Sequence, residues 1–79
     1  MMTALKTTYI TEDFQVGMVI EAHKSDVIYQ ITEGEAYEIV EVYEVPNGPA
    51  IRYIDDETSV VTKNVNDLDN PFDMYFRIL

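Results

Sequence analysis

Residues 35–49 read EAYEIVEVYEVPNGP, with a glutamate at every third position: Glu35, Glu38, Glu41 and Glu44. Whether this stretch is helix or strand decides the fold. In a helix, glutamates three apart lie on neighbouring positions of one face, where like charges repel. Ile39, Val40, Val42 and Val45 are β-branched and lose rotamer freedom in a helix, and only a glycine stands before the segment as a cap. A strand fits better, but a spacing of three alternates between strand faces. Glu35 and Glu41 would share a side with Tyr37, Ile39 and Tyr43, while Glu38 and Glu44 would share the other with Val40 and Val42. A bulge near residues 39–41 resolves the conflict, turning Tyr37, Ile39 and Val42 inward and most of the glutamates outward.

Working outward, Pro46-Asn47-Gly48-Pro49 is the strongest turn signal in the chain and predicts a hairpin onto a strand at 50–54, AIRYI. Asp55-Asp56-Glu57-Thr58 makes a second tight turn, from which 59–63 (SVVTK) returns. Residues 64–74 form a loop with one helical turn, and 75–79 (YFRIL) a last strand. Upstream, 18–22 (MVIEA) reads as a strand, 27–31 (VIYQI) alternates and reads as extended, and 5–10 (LKTTYI) suits a first short strand. The expectation is one mostly β domain over residues 1–79, with 1–13 an extra strand or a flexible arm.

Seventy-nine residues suit a single domain that buries a little over ~60% of its unfolded surface. Apolar residues make up 47%, enough for a core, and the absence of cysteine removes disulfides and thiolate metal sites. The first residues lack the apolar run of a signal peptide, and no stretch approaches the ~20 apolar residues of a membrane span. A soluble, cytoplasmic protein without membrane contact is expected.

Charge is the outlier: five basic residues against fifteen acidic, net −10. Asp26, Glu33, Glu35, Glu38, Glu41 and Glu44 fall in a stretch with no base, as do Asp55, Asp56 and Glu57, and again Asp67, Asp69 and Asp73. Such a surface repels nucleic acid and steers toward basic partners. A highly soluble surface is the alternative reading.

The stretch Tyr29-Gln30-Ile31-Thr32-Glu33-Gly34-Glu35-Ala36-Tyr37-Glu38-Ile39, then Ile51-Arg52-Tyr53-Ile54-Asp55-Asp56-Glu57, and Phe76 near the end resemble the small SH3-like β-barrels common among short bacteriophage proteins. The resemblance covers residues 14–79. It implies a strongly bent antiparallel barrel of five or six strands with one short helical turn, and no catalytic residues. It also implies a setting in host takeover, in the cytoplasm of the host cell. Members often carry glycine after the Asp-Asp pair, where this chain has Glu57-Thr58.

No chemistry-bearing constellation stands out. His23 with Ser25 lacks an orienting acid and an oxyanion device. Asp55-Asp56-Glu57 is explained by turn chemistry, where carboxylates are solvated rather than set against each other in a cleft. Residues 67–78 fail as a calcium loop, with Phe72 where glycine and Ile78 where glutamate are wanted. Gly17, Gly34 and Gly48 stand apart, so there is no phosphate-cradling loop. No enzyme activity, metal or cofactor is expected.

The glutamates suggest a different use. Alternate residues on a strand are ~6–7 Å apart, comparable to phosphate intervals on DNA. A protein that grips phosphates with Lys and Arg would meet carboxylates in similar geometry. The sequence therefore points to an acidic DNA-mimic inhibitor of a basic host DNA-binding protein, such as a nucleoid protein of the HU type or the DNA channel of RNA polymerase. Glu35, Glu38, Glu41, Glu44, Asp55, Asp56 and Glu57 would carry the charge, and Tyr43 or Tyr53 an apolar anchor. The alternative is a protein-binding adaptor using a β-edge or an apolar groove. A homodimer through an edge strand or through residues 1–13 fits either.

Overall fold

The structure, a computed structural model, describes residues 8–79. After a 3-10 turn at Thr11–Asp13 come β1 (Val19–Ala22), β2 (Ala36–Val45), β3 (Gly48–Ile54) and β4 (Val60–Asn64), then a helical turn α1 (Phe72–Tyr75) and β5 (Phe76–Ile78). The five strands form one antiparallel sheet in the order β4-β3-β2-β1-β5. The fold is mostly β, as the sequence suggests.

The bulge in β2 lies where the glutamate spacing requires it. Pairing with β3 runs from Val45↔Gly48 to Glu41↔Arg52 and then shifts to Ile39↔Tyr53, leaving Val40 as the extra residue. Tyr37 and Ile39 are buried, and Val42 packs against the core. Pro46-Asn47 forms the two-residue connection to β3.

Two expectations change, and a third falls only partly within the described residues. First, the sheet is not closed into a barrel, since β4 and β5 each pair with a single neighbour. The segment from β4 to β5 instead buries Val65, Phe72 and Tyr75, so side chains rather than strand pairing finish the core there. Second, 27–31 is a turn whose only strand-like pairing is a bridge between Asp26 and Ile31. One Asp26 carboxylate oxygen accepts from the backbone N–H groups of Ile28 (2.8 Å) and Tyr29 (3.0 Å), folding the chain back before a strand can extend. Third, the expected first strand and arm fall partly outside the described residues. Within them, Tyr9 is tied down. Its N–H donates to Asn66 Oδ1 and its carbonyl accepts from Asn66 Nδ2, both at 2.9 Å, while its hydroxyl meets Asp73.

Aromatic rings dominate the core. Phe72 lies 5.5 Å from Tyr9, 5.2 Å from Phe14 and 5.4 Å from Phe76 between ring centroids, and Tyr53 contacts Tyr37 and Phe76 edge-on. Lys63 is the most deeply buried polar residue of this interior. It is 1% exposed, with Nζ 4.8 Å from the Tyr29 ring centroid and 5.5 Å from that of Tyr75. Nζ donates to Tyr29 Oη at 3.2 Å and to the Asn70 carbonyl. Burial lowers its pKa, against the pull of Asp67 and Asp26.

Burial also raises the pKa of Tyr9, Tyr29, Tyr37, Tyr53 and Tyr75; Asp73 adds to the effect at Tyr9 and Asp56 at Tyr37. An unfolded tyrosine gives up its proton near pH ~10, whereas these five hold theirs longer. Their contribution to stability is therefore present below that pH and is lost as pH rises above it. Lys63 acts in the opposite sense, one group against five. Urea midpoints are expected to fall steeply above pH ~10, with the phenolate absorbance of these five rising only as the fold is lost. Ionisation of five tyrosines near pH ~10 with the fold intact would refute this.

Candidate acidic interface

Opposed residues on neighbouring strands share a face of the sheet. On the outer face, Val19 stands opposite Glu38, and Glu21 stands between Ala36 and Arg77. Farther along, Glu41 faces Arg52, which faces Thr62. Because Val40 is the extra residue, Glu38, Val40, Glu41 and Tyr43 all fall on this outer side. Glu44 alternates onto the other side, opposite Pro49, at the hairpin end of β2 and remains exposed. Glu35 precedes β2 and is exposed. The bulge therefore gathers two of the four glutamates on the outer face and leaves the other two near its ends.

Two of the five bases return to this face. Arg52 Nη1 donates to Glu41 Oε1 at 2.7 Å, Nε donates to Thr62 Oγ1 at 3.1 Å, and the guanidinium lies 5.0 Å from the Tyr43 ring centroid. Arg77 Nε donates to Glu21 Oε1 at 2.6 Å, and the pair is also joined through Nη2. In sequence, Glu41 sits in a base-free run; in space, it is paired across one strand. Both ion pairs are solvent-facing and contribute little to stability. Their effect is on the map of charge, which is discharged at Glu41 and Glu21 and stays negative at Glu35, Glu38 and Glu44.

The turn at 55–58 divides its acids. Asp55 is buried, and its Oδ1 accepts from the N–H groups of Glu57 (2.9 Å) and Ser59 (2.8 Å), closing the turn from within. It is therefore not presented to a partner. Asp56 accepts from Tyr37 Oη at 2.6 Å and Thr32 Oγ1 at 2.7 Å, and its N–H donates to the Gln30 carbonyl at 2.9 Å. That carboxylate clamps the turn to the long loop between β1 and β2. Glu57 remains exposed. Thr58 takes φ +60, at a cost of ~1–3 kcal/mol for a side-chain-bearing residue.

Tyr53 is 0% exposed, with its hydroxyl donating to the Tyr29 carbonyl at 3.0 Å, so it is a core residue and not an anchor. Tyr43, half-buried over Arg52, is the aromatic that the outer face presents. Among the described residues, no three of His, Cys, Asp and Glu gather as a metal ion would need, and no helix is long and apolar enough to cross a membrane. No protein-family model, curated protein or solved structure matches the chain.

Proposed function

We propose that the chain is an acidic DNA mimic that occupies the DNA-binding surface of a basic protein. The single observation that carries the reading is the bulge at Val40, which sets Glu38 beside Glu41 and Tyr43 on one outer face, with exposed Glu35 and Glu44 near its ends. Glu35, Glu38, Glu44 and Glu57 supply unpaired negative charge, and Tyr43 supplies apolar contact. The net charge of −10 supplies long-range steering. The bacteriophage resemblance adds a setting, a host nucleoid protein of the HU type or a polymerase DNA channel. The strand order, with the helical turn between β4 and β5, supports an SH3-like ancestry for the open sheet.

The test is displacement of a labelled duplex from an HU-type protein at stepped salt. The wild-type chain is expected to displace DNA and to weaken steeply with ionic strength. Glu35→Lys/Glu38→Lys/Glu44→Lys, which moves the net charge from −10 to −4, should bind ~100-fold more weakly at about 1 kcal/mol per site, with an unchanged melting temperature. Displacement that survives the triple reversal would sink the mimic reading.

A second reading, a β-edge adaptor, is favoured by the outer edge of β4, unpaired among the described residues, on a strand without an acidic residue whose Val60 is exposed. Binding through that edge, or a homodimer formed there, would be insensitive to salt.

A further inference from the structure

Between the loop of residues 25–32 and the turn at Asp56 lies a cleft of about 320 Å³ whose lining includes Asp26, Val27, Gln30, Ile31, Thr32 and Asp56. No Lys, Arg or His lines it. At its rim, Val27 is 89% and Ile28 80% exposed, an adjacent apolar pair turned to solvent. Scattered exposed aliphatics need no explanation, but this pair is held in place. Asp26 and Ile31 exchange two backbone hydrogen bonds of 3.0 Å across the base of the tip. The Asp26 carboxylate caps the N–H groups of Ile28 and Tyr29, and the Tyr53 hydroxyl grips the Tyr29 carbonyl from the core. Gln30 takes φ +57 to complete the turn and is bonded through its carbonyl to Asp56. The loop spends structure on keeping two aliphatic side chains out of the core, beside a concavity whose walls carry carboxylates.

We propose that this cleft is a docking site for a protein segment that places a lysine or arginine beside an aliphatic or aromatic residue. The cation enters between Asp26 and Asp56, and its apolar neighbour packs on Val27 and Ile28. The volume, at the lower end of ligand pockets, suits a side chain rather than a nucleotide-sized cofactor. The charge of the walls selects the cation and disfavours phosphate or an acidic segment. The pre-formed tip lowers the ordering cost of binding. The site shares only Asp56 with the mimic reading and uses none of the β2 glutamates.

The test uses the full ¹⁵N-labelled chain and three capped nonapeptides: one alternating Lys/Arg with Leu/Phe, one replacing Leu/Phe by Gly, and one replacing Lys/Arg by Ser. The mixed peptide is expected to shift amide resonances at 25–32 and at Asp56, binding ~10-fold more tightly than either control. Val27→Ser/Ile28→Ser should lower that affinity ~10-fold with no loss of melting temperature. Glu38→Lys/Glu44→Lys should retain it, which separates this site from the mimic surface. Equal binding by the Lys/Arg-Gly peptide, shifts centred on β2, or no binding by the mixed peptide would overturn the proposal. So would sedimentation showing a dimer that Val27→Ser/Ile28→Ser dissolves, because the tip would then be covered by a second copy.

Discussion

Phe72→Ala is expected to lower the free energy of unfolding by ~3–5 kcal/mol, enough to leave a domain of this size largely unfolded. Phe72 is wholly buried and touches three other rings, Tyr9, Phe14 and Phe76, which arrive from different parts of the chain. It also opens α1, and its N–H donates to the Val65 carbonyl at 3.0 Å. With no β4–β5 pairing, Phe72 ties the segment after β4 to β5, through its N–H to Val65 and its ring against Phe76. Urea denaturation checks the expectation, with Phe72→Leu as the volume-conserving comparison expected to cost under ~1.5 kcal/mol. A loss below ~1.5 kcal/mol for the alanine variant would mean that neighbouring rings refill the space.

Gly48→Ala is expected to cost ~2–3 kcal/mol through two causes that can be separated. Gly48 begins β3 at φ +130, a conformation that L side chains rarely adopt. A Cβ there would also strike the Asn66 amide nitrogen, which cannot simply swing away. That nitrogen donates to the carbonyls of Tyr9 and Asn47, both at 2.9 Å, and Asn66 Oδ1 accepts from the Tyr9 N–H. Asn66→Ala alone breaks this three-way tie, and buried groups left unpaired cost ~1–3 kcal/mol. The double variant should be less damaging than the sum of the singles, because removing the Asn66 side chain removes the collision. Strict additivity in urea unfolding would assign the whole Gly48 effect to backbone conformation.

Much of the strand layout was legible because its signals are local. The glutamate spacing placed the bulge, Pro46-Asn47-Gly48-Pro49 placed the hairpin, and Asp55-Asp56 placed the second turn. What misled was chemistry acting at one or two residues' remove. The alternation of VIYQI imitates a strand, while the deciding group is the Asp26 side chain just before it; an aspartate ahead of such a run is itself a turn signal. Tyr53 reads as a surface anchor by its acidic neighbours, yet its place opposite Ile39 on the inner side sends it to the core. Lys63 shares strand parity with the half-buried Val61, so its inward direction was available from alternation alone. Its cage of Tyr29 and Tyr75 was not, since those rings come from the turn before β2 and from α1. The candidate site suffered most from such long-range pairing. Arg52 lies eleven residues beyond Glu41 and, once the hairpin closes, neutralises the middle of the row.

Val40 gives β2 the character of a reading frame. Upstream of it, odd-numbered residues such as Tyr37 and Ile39 face the core; downstream, Val42 does. The chain thus changes phase once, and one strand writes an apolar message on one side and an acidic message on the other without breaking its backbone pairing for more than a single step. Substitution at Val40 alters a side chain, whereas deletion alters the meaning of the letters on one side of it. Strand length in this protein is therefore as much a determinant of surface charge as composition is.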